Sequence, residues 1–141
     1  MTHRWLPHTA DVRAYLEAAT LRGVLEDATA VVRELLVGAS AVTPAETRTI
    51  RVTGTDQAEL LLAFLRALLE QYYLDRFVPA VAEVSEPTGG TDGPDVSATI
   101  RGESFDPSRH EQQPEVKAVT RHGLKVERTG TGWTAEVVFD V

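Results

Sequence analysis

A chain of 141 residues with no cysteine is long enough to bury a core as one domain, and it can form neither a disulfide nor a thiolate metal site. Its 21 acidic against 14 basic side chains give a net charge of −7, which opposes binding to a phosphate backbone over the surface as a whole. No stretch is apolar over the length of a membrane span, and Met1 to His8 lacks the apolar run of a secretory signal, so a cytoplasmic chain with no membrane partner is expected.

Val12 to Ala19 opens extended: Val12, Ala14 and Leu16 alternate with Arg13, Tyr15 and Glu17 at the period of a strand. Thr20 is a natural N-cap. After it Leu21, Val24, Leu25, Ala28, Val31, Val32, Leu35 and Leu36 recur every three or four residues, one apolar helical stripe that Gly38 closes. Thr47 to Thr53 alternates again, with Ile50 and Val52 inward, and Gly54 ends it. Asp56 caps a second helix, with Glu59 placed to complete a capping box and Leu60, Leu61, Phe64, Leu65, Leu68, Leu69 and Tyr72 on its buried face.

Val78 to Val84 is predicted as a strand, and the turn formers from Pro87 to Pro94 as a mobile connector to a returning strand over Val96 to Gly102. Ser104 to Pro114 is polar, holds two prolines and reads as a second loop. From Glu115 to Thr120, Val116, Ala118 and Thr120 alternate with Lys117, Val119 and Arg121. Gly123 interrupts, Leu124 to Arg128 resumes, and Thr129 to Gly132 turns into a last strand, Trp133 to Asp140. Together these predict one α+β domain over residues 1–141, with two helices packed on a mainly antiparallel sheet of about seven strands.

Candidate chemistry is sparse. His3, His8, His110 and His122 have neither a nucleophile motif nor the spacing of a helical zinc site, and the glycines after Pro87 do not match a phosphate-cradling loop. Lys117, Arg121 and Lys125 are the closely spaced cations, without aromatic residues between them for bases to stack on. Asp11 and Asp140 lie near opposite ends of the sequence. If the terminal strands pair, Asp11, Asp140 and the carboxylate of Val141 meet, and such a cluster suits a hard divalent cation, Ca²⁺, Mg²⁺ or Mn²⁺. The alternative is that Asp11 tethers a loop through backbone N–H groups and Asp140 is a solvated charge. Lys117 likewise reads either as a solvated strand lysine or as a point charge for a phosphate.

Four stretches taken together resemble the archease family: His8-Thr9-Ala10-Asp11, Gly102-Glu103 with Asp106 and His110 following, Glu115 to Thr120 with His122 after it, and Phe139-Asp140-Val141. The two helices fall in the family's order, so the resemblance runs from end to end. It implies an archease-like fold and a metal-binding accessory protein, not itself an enzyme. Such a protein promotes guanylylation and multiple turnover of the RNA-splicing ligase that joins 2′,3′-cyclic phosphate or 3′-phosphate ends to 5′-hydroxyl ends in tRNA splicing and RNA repair. Carried over position by position, the metal-binding residues fall on Asp11, Asp140 and Val141 and a functional lysine on Lys117. GTP is used by the partner ligase, and tRNA or RNA is met through it. The chain departs from the family at Arg13, where members commonly have a glycine that permits positive φ or close backbone approach.

Two other classes compete with this reading. An autonomous enzyme would have only Asp11, Asp140, Glu103 and His122 for a base or nucleophile. An RNA-binding or adaptor module would act without the metal, and its function would survive Asp140→Ala.

Overall fold

The computed structural model describes residues 11–90 and 92–141. His3 and the stretch His8 to Ala10 lie outside the described residues. The elements run β1 (Asp11–Ala18), α1 (Leu21–Val37), β2 (Glu46–Thr53), α2 (Gln57–Asp75), β3 (Phe77–Val84), β4 (Thr88–Gly90), β5 (Gly93–Ser104), β6 (Ala118–Arg128) and β7 (Trp133–Asp140). The α+β class holds, with two helices and seven strands among the described residues. The strands divide between two antiparallel sheets, β1-β7-β6 and β2-β5-β3, with β4 paired to β5.

Both helices start where their caps predict. The Thr20 hydroxyl accepts from the Gly23 N–H at 3.1 Å, and the Asp56 carboxylate accepts from the Glu59 N–H at 2.8 Å. The expected capping box is not completed, because the Glu59 carboxylate turns outward to the Arg121 guanidinium, with contacts between 2.8 and 3.2 Å. Gly38 ends α1 at φ 61°, and its N–H reaches back to the Glu34 carbonyl. α1 packs on β3 and β1, and α2 on β6 and β2, so each helix touches both sheets. That explains Leu62, which lies off the predicted stripe of α2 yet is 1% exposed: a helix between two sheets buries a wider arc than one resting on a single face.

Three local departures matter for the site. The stretch predicted as a mobile connector contains β4, which closes on the start of β5, with Gly93 at φ 103° making the turn. Pro79 and Val81 pair with consecutive residues of β5, so Ala80 bulges out, and Gly102 fits beneath this kink. A Cβ on Gly102 would come within 2.0 Å of the Val78 carbonyl oxygen, which only glycine avoids. Finally, β6 begins at Ala118 and not at Glu115, and the expected alternation fails: Val116 and Val119 are buried while Ala118 is exposed. Val116 precedes the ladder, so its inward direction is set by contacts outside the sheet. Beyond Thr120 the strand is not ended by Gly123 but bulged. Residues from Arg121 to Leu124 occupy the place opposite Val137, and Gly123 adopts φ 74° within them.

Candidate functional site

β1 and β7 pair in antiparallel register along their whole lengths, from Asp11 opposite Asp140 to Ala18 opposite Trp133. Directly opposed residues of an antiparallel pair project to the same face with Cβ atoms about 5 Å apart. The fold therefore sets the Asp11 and Asp140 carboxylates side by side, Asp11 exposed and Asp140 half-buried. β6 completes the corner: Ala118 flanks Asp140, and the N–H of the preceding Lys117 donates to the Asp140 carbonyl at 2.7 Å. Val141 is half-buried and packs against the core cluster. Asp11, the Lys117 main chain, and the adjacent pair Asp140 and Val141 are thus brought from three places in the sequence to one corner.

The donor chemistry of this corner fits a hard divalent cation. Like charges directly opposite one another on a strand pair repel, and a shared cation relieves that. Among the described residues no three His, Asp or Glu side chains gather as a metal group, so a cation held here would take the Asp11 and Asp140 carboxylates together with main-chain oxygens such as those of Val141. Such a set leaves coordination positions for water or phosphate oxygens.

Arg13, where the resemblance leads one to expect glycine, sits in regular register opposite Val138. Arg76 is the residue other than glycine that takes positive φ among the described residues, so Arg13 needs no glycine-like backbone. Its guanidinium extends toward the β6 bulge, 4.0 Å from where a Cβ on Gly123 would stand, and that same Cβ would be 3.1 Å from a Val138 methyl. Arg13 thereby helps cover Val138, which is 1% exposed on the outer face of the sheet.

Lys117 is exposed and shares a groove of about 280 Å³ between α2 and β6 with Arg66, Tyr73, Val116 and Val119. At the wall of this groove the Tyr73 hydroxyl donates to the Val116 carbonyl at 2.8 Å and accepts from the Val116 N–H at 2.9 Å. Burial pushes this hydroxyl above the ordinary tyrosine value, so it stays protonated and able to donate. Tyr73 was not among the residues read from the sequence, because it lies just off the stripe that contains Tyr72.

The motif residues Glu103, Asp106 and His110 form a brace in the other sheet. The Glu103 carboxylate receives both arms of the Arg109 guanidinium, the Thr43 N–H at 2.7 Å and His110 Nε2 at 3.0 Å. The Asp106 N–H donates to His110 Nδ1 at 2.8 Å, which leaves the ring proton on Nε2, aimed at Glu103. The Arg109 guanidinium, with help from Thr43 and His110, holds the Glu103 carboxyl down at about 2. Glu103 is therefore ionised at neutral pH and engaged on both carboxylate oxygens, an anchor and not a general base. Around it the Glu111 N–H binds the Ser40 hydroxyl and the Gln113 N–H the Leu36 carbonyl, so the loop leading to Lys117 is tied to the end of α1. Arg109 is the member of the brace that sequence reasoning passed over.

The candidate basic patch is largely neutralised. Arg121 grips Glu59, and Lys125 lies 3.5 Å from Glu127. His122 is exposed on the bulge, where its N–H binds the Thr120 hydroxyl. Among the described residues no helix is long and apolar enough to cross a membrane.

These features define a two-sheet α+β protein in which the first and last described strands bring two aspartates into register at one corner. The model of the archease protein family (MTH1598/TM1083) matches residues 3–141. A protein named archease from Methanopyrus kandleri is 36% identical over 136 residues, covering 96% of either chain. One of the same name from Methanosarcina acetivorans is 31% identical over 142 residues, covering 99% of this chain and 95% of its own. The solution structure of Methanobacterium thermoautotrophicum protein 1598 superposes with a TM-score of 0.80 at 28% identity, covering 96% of each chain. The chain belongs to the archease family.

Proposed function

We propose that this chain is a metal-binding accessory protein of an RNA-splicing ligase, promoting that enzyme's guanylylation and multiple turnover in tRNA splicing and RNA repair. The observation that carries the reading is the register of Asp11 against Asp140, with Lys117 and Val141 beside them. Membership of the archease family supports it independently.

In this reading the chain is an activator and not an enzyme, and it works in the cytoplasm. Asp11, Asp140 and the Val141 main-chain oxygens hold one divalent ion, Ca²⁺, Mg²⁺ or Mn²⁺. When bound, the ion supplies positive charge beside phosphate oxygens. Lys117, whose N–H holds the Asp140 carbonyl, adds a compact ammonium on a flexible stem, suited to a phosphate approached as a point charge. GTP is consumed by the ligase, and tRNA or RNA is met through it. The net charge of −7 keeps the body of the activator from competing for the nucleic acid. An ion held between two opposed strand ends suits delivery to a partner's pocket better than chemistry carried out alone.

The test is the guanylylation rate of the cognate ligase with GTP and Mn²⁺ or Mg²⁺, alone and with wild-type protein, Asp11→Ala or Asp140→Ala, each variant first melted to show that it folds. Acceleration by the wild type that both folded variants lose is the expected result. No acceleration by the wild type, or full acceleration by both variants, overturns the reading.

A further inference from the structure

Lys117 belongs to no regular element, yet its main chain is held on both sides. Ahead of it, one side chain from α2 binds both polar groups of Val116, the Tyr73 hydroxyl donating to the carbonyl at 2.8 Å and accepting from the N–H at 2.9 Å. On its own residue, the Lys117 N–H donates to the Asp140 carbonyl at 2.7 Å. Val116 lies before the first rung of the β6–β7 ladder, so no strand neighbour serves its peptide groups, and buried peptide groups left without partners are costly. Its side chain, 2% exposed, points into the core. The Tyr73 ring stands edge-on to the ring of Tyr72, centroids 5.3 Å apart at 78°, and Tyr72 is itself 4% exposed. The place of the hydroxyl is therefore fixed by the core of α2.

We infer that Tyr73 is a positioning residue for the carboxylate corner, setting through Val116 where the Lys117 ammonium and the end of β7 stand. The inference rests on the proposed role of Lys117 and Asp140. The Tyr73 ring is 44% exposed and adds little to the core, so its specific contribution is the hydroxyl. A tyrosine offers donor and acceptor on one atom at the end of a stiff side chain, which matches a single residue needing both. Removing that atom keeps the ring contacts and releases the segment that carries Lys117.

The decisive variant is Tyr73→Phe, read in two independent ways on the full chain. The first readout is hydrogen exchange at the Lys117 amide. It should quicken by about tenfold, the equivalent of one hydrogen bond's net contribution, while amides in the middle of α1 and α2 keep their protection. The second is ligase guanylylation with GTP and Mn²⁺ in a cycle with Lys117→Ala. Tyr73→Phe alone should lose several-fold of the acceleration, and Tyr73→Phe with Lys117→Ala should be no worse than Lys117→Ala alone. A purely structural role would add the same loss in both backgrounds. Unchanged exchange at Lys117, full activation by Tyr73→Phe, or additive losses would each overturn the inference. A wild type that fails to activate the ligase would instead overturn the functional reading and with it the purpose assigned to Tyr73, while the amide exchange would still report whether the clamp exists.

Discussion

Asp11 and Asp140 are register partners, two carboxylates set on one face of a strand pair by residues near opposite ends of the chain. Like charges opposed in this way repel, and on the proposed reading a divalent cation held between them would offset that repulsion.

Melting in chelator and in saturating divalent ion measures both halves of that statement. Asp140→Asn in chelator should match or exceed the wild type by up to about 1 kcal/mol, because a like-charge pair is removed. In divalent ion the wild type should gain about 2.7 kcal/mol at a hundredfold excess over its dissociation constant, and the variant little. A wild-type melt unmoved by Ca²⁺, Mg²⁺ and Mn²⁺ would leave the pair with no ligand.

In the proposed site Val141 contributes through its main-chain oxygens, while its half-buried side chain packs against the core cluster. Extending the chain by Gly-Ser-Gly beyond Val141 should leave the melt in chelator within about 0.5 kcal/mol of the wild type, as surface changes do, and reduce the divalent-ion stabilisation. Equal metal stabilisation in the extended protein would remove the terminal carboxylate from the ligand set.

Glu103 makes stability depend on acid. Its folded value of about 2 lies below the ordinary 4.5, so the folded state binds its proton less readily than the unfolded chain. The stabilisation is complete above about 4.5 and is lost as pH falls through that range toward 2. Glu103→Gln should cost about 2 kcal/mol at pH 7, as expected for charge-assisted hydrogen bonds, and flatten this part of the stability profile. Denaturant unfolding at several pH values would show parallel profiles if the brace were unimportant.

Gly102→Ala tests the kink in β3. The new methyl would press on the Val78 carbonyl at 2.0 Å, which main chain on both sides must yield to relieve. A loss of about 3 kcal/mol in denaturant unfolding is expected, the upper end for overpacking. A loss below about 0.5 kcal/mol would show that the Ala80 bulge adapts freely.

The helices were legible because every signal in them is local: Thr20, Gly38 and Asp56 act within one turn, and the leucine stripe repeats in register with it. The pairing of Asp11 with Asp140 was legible for a different reason, since both strands alternate cleanly and their charged ends match once they are laid antiparallel. The division into two sheets was not, because alternation gives a strand's faces and not its neighbours. Leu62 was missed on the same ground, and so was the failure of alternation between Val116 and Val119: a second layer over α2 and the Tyr73 hold on Val116 leave no periodic trace. The Arg121 pairing with Glu59 belongs here too, a contact between residues distant in sequence that displaced a local capping rule.

Because β1 and β7 lie at the two ends of the described chain, their ladder closes a loop that contains nearly every other element. Its closure carries the largest chain-entropy cost of any strand pairing among the described residues and is expected late in folding. A chain that has completed both helices and the β2-β5-β3 sheet but not this ladder has no carboxylate pair at all. On the proposed reading, the pair that would hold a divalent ion, and with it the surface offered to a ligase, forms only in the same step as the finished fold.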